Sequence, residues 1–125
     1  MSYLLDSNTL IYASQPDARF VGCRHWLQRD TIAVSAISLV EVLGFHSLTQ
    51  IDAAFFATVF RFVPQLPINE AILAQAILVR QLFRLKTPDA VVAATALVHG
   101  LALVTADSDF TRVAGLVVVN PLPSA

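Results

Sequence analysis

The sequence predicts an α/β domain with a central, mostly parallel sheet of about four to five strands and helices on both faces. Three observations carry that expectation. Short apolar runs alternate with longer segments of helical periodicity, the order in which strand–helix–strand units are laid down. The short runs, such as YLL, IAV, LALV and LVVV, are continuously apolar rather than alternately apolar and polar. Strands of that kind are buried on both faces, as parallel strands are. The 125 residues also fit one domain spanning 1–125, large enough to bury roughly two-thirds of its unfolded surface.

Residues 2–5 (SYLL) form the first strand, ending at Asp6, and Asn8 suits the cap of a short helix that stops before Pro16. Phe20, Cys23, Trp26 and Leu27 recur at helical spacing and predict a helix over 18–29. Thr31–Val34 is the second strand. Ser35 then caps a helix through about Phe45, with Ile37, Val40, Leu43 and Gly44 on one face. Thr49 caps a further helix ending near Arg61. Residues 62–68 (FVPQLPI) hold two prolines, so they make at best a short, interrupted strand. Asn69, Glu70 and an alanine-rich run open the longest helix, to about Leu85. Thr87 followed by Pro88 marks another helix start, and Gly100 its left-handed stop. Leu101–Val104 is a strand running into Thr105, Ala106 and Asp107, Ser108 begins a brief helical turn, and Leu116–Val119 is the last strand.

Composition narrows the classes. Hydrophobic residues make up 56% and charged residues 14%, against usual values of roughly 45–50% and 25%. The excess implies a dense core together with apolar surface given to partners. No apolar run approaches the roughly 18 residues of a membrane span, and no signal peptide is visible at the N-terminus. Cys23 is alone, which excludes a disulfide framework and suits a reducing cytoplasm. The net charge of −1 neither supports nor excludes a nucleic-acid partner. Lys86 is the single lysine among arginines, whose planar groups suit contacts to phosphate.

Against this apolar background, Asp6, Glu41, Asp89 and Asp107 stand in the contexts YLLDSN, SLVEVLGF, KTPDAVVAA and LVTADSDF. A buried carboxylate without a partner costs several kcal/mol or is forced to protonate. Asp6 and Asp107 follow strands and so belong at the same edge of a parallel sheet, where ligands of such folds bind. Asp89 lies in the first turn of its helix, and Glu41 within a run of apolar or small residues. Each aspartate has an ordinary explanation as a turn or helix-start residue, at roughly even odds. Glu41 is the hardest to explain locally. Four such acids at one edge point instead to a divalent metal, magnesium or manganese by the oxygen-only donor set. Metal-assisted phosphodiester hydrolysis is the chemistry that uses this set. The chain offers no rival: its four glycines form no phosphate loop, and Ser35 and Ser38 lack a His–Asp pair. His25, His46 and His99 sit on helical patterns, and Cys23 on an apolar face.

The segments LLDSNTLIY, SAISLVEVLGF, LKTPDAVVAATAL and LVTADSDF, in this order, resemble the PIN domain, more narrowly the VapC-type toxins of toxin–antitoxin pairs. The resemblance implies a Rossmann-like fold and a magnesium-dependent ribonuclease, with manganese as a substitute. Its acidic site maps onto Asp6, Glu41, Asp89 and Asp107, with metal at Asp6, Asp89 and Asp107 and with Asp109 as an alternative to Asp107. It implies supporting roles for Asn8 or Ser7 and for Thr105, which would hydrogen-bond near the metal or the first aspartate. It further implies a homodimer and a small antitoxin covering the cleft. RNA would be gripped by Arg19, Arg24, Arg84, Lys86 and Arg112, or in a dimer groove. Two other classes compete. A catalytically silent RNA- or protein-binding module has no need of four repelling carboxylates. A phosphoacceptor domain needs an acid pair at the first strand and a lysine on a late strand, whereas Lys86 precedes a helix.

Overall fold

The structure is a computed structural model and describes residues 2–123. Among these are five strands and six α-helices. In chain order they are β1 (Tyr3–Leu5), α1 (Ser7–Ala13), α2 (Val21–Trp26), β2 (Ile32–Ser35), α3 (Ile37–Leu43) and α4 (Gln50–Phe62). Then follow β3 (Gln65–Leu66), α5 (Glu70–Phe83), α6 (Thr87–His99), β4 (Ala102–Val104) and β5 (Val118–Val119). Short 3-10 turns cover Ala18–Phe20 and Ser108–Arg112.

The strands form one sheet in the order β3-β2-β1-β4-β5, and every neighbouring pair is parallel. Leu5, the last residue of β1, is level with Val34 of β2 on one side and Val104 of β4 on the other. Strand order reverses between β1 and β4, so a crevice opens beyond their carboxyl ends.

Successive side chains of a strand point to opposite faces, and both faces here are covered. Leu4 and Leu103 join a cluster with Ile72, Ala76 and Val79 of α5 and with Ala90, Ala93 and Ala94 of α6. Leu5, Val34 and Val104 join the opposite cluster, with Leu10, Trp26, Val42 and Phe56. That explains the uniformly apolar strand runs. Leu4, Leu5 and Leu103 are wholly inaccessible, each burial contributing on the order of 2–3 kcal/mol. Every residue of α6 from Ala90 to Ala96 is buried, so this is an interior helix held between α5 and the sheet.

Several expected boundaries shift for local reasons. Asp6, not Asn8, caps α1, because its side chain accepts from the Ser7 N–H. The helix expected over 18–29 is divided into a 3-10 turn and a helix ending at Trp26. Lys86 holds the cap position of α6 without a side-chain bond, and Thr87 and Pro88 lie inside the first turn. Of the α3 face that carries Ile37, Val40, Leu43 and Gly44, Ile37 packs on the core while Val40 and Leu43 are exposed, and Ser38 and Val42 are buried. Pro64 and Pro67 confine β3 to two residues at the sheet edge. Thr49 and Asn69 do cap α4 and α5, and Gly100 ends α6 in the left-handed conformation. Gly22 of α2 lies so close to the chain end that a Cβ would come within 2.3 Å of the Pro121 carbonyl oxygen.

Candidate metal centre

Asp6 joins β1 to α1 with an extended backbone, and its N–H donates to the Val104 carbonyl of β4 at 3.0 Å. Its carboxylate is held from two sides. Oδ1 accepts from the Ser7 N–H at 2.8 Å, and Oδ2 accepts from the Thr105 hydroxyl at 2.9 Å. The Thr105 oxygen in turn accepts from the Asp107 N–H at 3.1 Å. Asp107 Oδ1 accepts from the Asp109 N–H at 2.9 Å and so caps the 3-10 turn. The loop after β4 is thereby fastened to the end of β1.

Glu41 is held from the other direction. The Ser7 hydroxyl lies 2.7 Å from Glu41 Oε1 and 2.8 Å from the Ser38 hydroxyl. A carboxylate only accepts and Ser7 has one hydroxyl proton, so Ser7 donates to Glu41 and Ser38 donates to Ser7. Ser38 is fully buried one helical turn before Glu41 on α3. Asp89, half-buried in the first turn of α6, gains from the positive end of that helix.

The acids sense one another's charge. Asp6 is only 3% exposed, and burial is the main reason its carboxyl is raised from 3.8 to about 6. The Thr105 hydrogen bond opposes that rise, while Asp89 and Glu41 add to it. Asp89 is also raised, first by burial, then by Asp107 and Glu41; Lys86 opposes and Asp109 adds a smaller push. Among the described residues the ion pairs are Arg19–Asp17 at 2.9 Å and Arg112–Asp109 at 3.7 Å. Asp6, Glu41, Asp89 and Asp107 therefore form no ion pair among these residues, whereas Asp109 forms one and is exposed. Of the two acids of this loop, Asp107 is the half-buried one.

A set of mutually repelling oxygen donors without a cation fits a hard divalent ion in chemistry and charge. Among the described residues no three acids, histidines or cysteines already stand together as a coordination sphere. An ion would have to draw these side chains in, from backbone positions the sheet edge has already gathered.

The remaining expected residues divide. Asn8 is exposed and makes no side-chain hydrogen bond among the described residues, so the support of the first loop falls to Ser7. Arg24 donates to the Gln15 and Asp17 carbonyls and Arg19 pairs with Asp17, which commits both to the loop before α2. Arg112 is paired with Asp109. Arg84 and Lys86 are exposed in the segment leading to Asp89. The sequence reading missed the Ser38 contribution, although a serine three positions before Glu41 in an apolar helix was a usable signal.

Residues 3–116 match the PIN domain family. The chain belongs to that family. This PIN domain superposes on a toxin–antitoxin complex from Klebsiella pneumoniae with a TM-score of 0.80 at 28% identity, over 96% of this chain and 98% of that one. It superposes on DNA-bound VapBC from Salmonella typhimurium with a TM-score of 0.82 at 20% identity, over 97% and 98% of the two chains. For FitAcB from Neisseria gonorrhoeae the TM-score is 0.78 at 24% identity, over 95% and 97%. At their identities, the last two establish the fold alone. Comparison with curated protein sequences finds no match.

Proposed function

We propose that this PIN domain is a magnesium-dependent endoribonuclease, served also by manganese, and the toxin of a type II toxin–antitoxin pair. The observation that carries the reading is the set Asp6, Glu41, Asp89 and Asp107, which act on one another's charge and form no ion pair among the described residues. Asp6, Asp89 and Asp107 would hold the ion, with Glu41 beside them. Such an ion, when bound, lowers the pKa of coordinated water and offsets charge on the phosphoryl oxygens. The residues of the chain do the positioning. Ser7 N–H and Thr105 each occupy one lone pair of Asp6, leaving one on each oxygen for an ion. Ser7 binds Glu41 at Oε1, which leaves Oε2 free to take a proton from an attacking water.

The Klebsiella neighbour, described as a toxin–antitoxin complex, supports a small antitoxin as partner. The exposed Val40, Leu43 and Phe45 of the α3 region, and Leu73 and Leu82 on α5, supply apolar surface for that partner and for a homodimer. No described helix is long and apolar enough to cross a membrane.

The test is cleavage of labelled single-stranded RNA in magnesium, with Asp6→Asn and Asp89→Asn as comparisons. Loss of at least roughly a hundredfold in rate with folding retained is expected. Normal cleavage by both variants ends the reading, and RNA binding without turnover in either metal replaces it with a silent binding module.

A further inference from the structure

The basic residues are not distributed as their number suggests. Of eight Lys and Arg, Arg19 and Arg112 are in ion pairs, Arg24 serves carbonyl groups, and Arg29 lies over Trp26 at 3.8 Å from the ring centre. Arg61, Arg80, Arg84 and Lys86 remain, all exposed and without an ion pair or side-chain hydrogen bond among the described residues. Three of these four fall between positions 80 and 86, in the segment that leads into Asp89.

Two of them share a concavity. Arg80 and Arg84 line an open surface depression together with Ile77, Gln81 and Leu85. Arg84 ends α5 in the left-handed conformation, with φ 58° and ψ 35°. It is the one non-glycine residue with positive φ among those described, whereas the neighbouring helix α6 uses Gly100 for the same stop. Glycine adopts that conformation without strain, so an arginine there gives up backbone comfort and gains a guanidinium. Helix-dipole matching accounts for a cation in the last turn of α5. It does not by itself account for a second one, one helical turn on, placed on a strained residue. Arg84 and Asp89 cannot be more than roughly 18 Å apart, even along a fully extended link. Lys86, between them, lies within the field of Asp89.

We propose that Arg80 and Arg84 form a phosphate-binding subsite for single-stranded RNA, gripping backbone phosphates that flank the bond to be cut. The inference rests on the ribonuclease reading and adds the groups that hold the substrate. Two guanidiniums with free donors suit phosphate oxygens, and the polar Gln81 supplies a further donor. Such contacts carry no base information, so the grip acts alike on different sequences. Lys86 extends the basic track towards the acids, where the chain's low overall charge gives no general attraction for RNA.

The experiment is binding of a fluorescent single-stranded oligoribonucleotide in EDTA across a salt series, paired with steady-state cleavage in magnesium. The variants are Arg80→Gln, Arg84→Gly, their combination, and Arg61→Gln as an equal charge change on α4. Arg84→Gly suits the left-handed position and so keeps the fold. The double variant is expected to bind roughly tenfold more weakly, with a log–log salt slope shallower by about 1.4, the value for two lost phosphate contacts on a single strand. KM should rise with kcat nearly unchanged, and Arg61→Gln should resemble the parent. An unchanged slope and KM in the double variant overturns the subsite while leaving the nuclease reading intact. So does an equal loss in Arg61→Gln, or a lower melting temperature as the sole effect. Failure of the parent to bind RNA at all overturns both.

Discussion

The Thr105 hydroxyl donates to Asp6 Oδ2 at 2.9 Å while its oxygen accepts the Asp107 N–H at 3.1 Å, so one side chain positions two acids from neighbouring strands. Thr105→Val keeps the shape and removes both interactions. Asp6 loses the contact that opposes its burial, and its carboxyl should move further up. Removal of such supporting contacts typically weakens metal affinity or activity by roughly 10–100-fold. A loss in that range is expected for Thr105→Val in manganese binding followed by calorimetry, with Thr105→Ser close to the parent. Equal affinity in Val and Ser variants would show that the hydroxyl does not matter.

The metal-free protein should lose stability as pH rises from about 4 to about 6. Asp6 ionises near 3.8 when unfolded and near 6 when folded. In between, the folded state keeps a proton that the unfolded state has released, so stability falls with pH across that window and levels off above it. At 1.36 kcal/mol per unit, the Asp6 contribution is roughly 3 kcal/mol at most. Asp89, also raised, acts in the same direction. Urea unfolding in EDTA at the two ends of the window reads the difference, and Asp6→Asn should reduce it. An equal pH dependence in parent and variant would mean that Asp6 is not the group responsible.

The sheet was legible because parallel strands covered on both faces must be apolar throughout, and Leu4 and Leu5 do turn to opposite clusters. Helix stops at Gly100 and caps at Thr49 and Asn69 were legible because those residues act within one turn of the chain. On α3, Val40 and Leu43 follow helical periodicity yet remain exposed, while Ser38 and Val42 pack inward. Apolar periodicity does not distinguish a core from a surface held for a partner. At the site, the aspartates announced themselves by local context. In the Ser38–Ser7–Glu41 chain, the serine one turn before Glu41 is a local signal, whereas the link through Ser7 joins distant segments and has none.

Gly22 supplies a test of packing remote from the acids. A Cβ there would lie 2.3 Å from the Pro121 carbonyl oxygen, a backbone atom that cannot rotate aside. Gly22→Ala gains helix propensity but forces α2 or the segment at Pro121 to shift. Overpacking of this kind destabilises by about 1–3 kcal/mol, which outweighs the roughly 1 kcal/mol of propensity gained. A lower urea midpoint with unchanged cleavage at low temperature is expected. A midpoint at or above the parent's would show that the contact relaxes freely.

Asp89→Asn separates the electrostatic cost of the site from its use. In the metal-free protein Asp89 is raised by burial and by Asp107 and Glu41, so neutralising it relieves repulsion. The variant should melt higher than the parent in EDTA at pH 7, since there the unfolded parent keeps its charge freely while the folded one is penalised for it. Adding magnesium or manganese should reverse the order. The parent gains stability by mass action, about 2.7 kcal/mol at a hundredfold excess over Kd, while the variant has lost a ligand and gains much less. Melting curves of both proteins with and without metal read this crossing directly. Curves that stay parallel in every condition would remove Asp89 from the metal site.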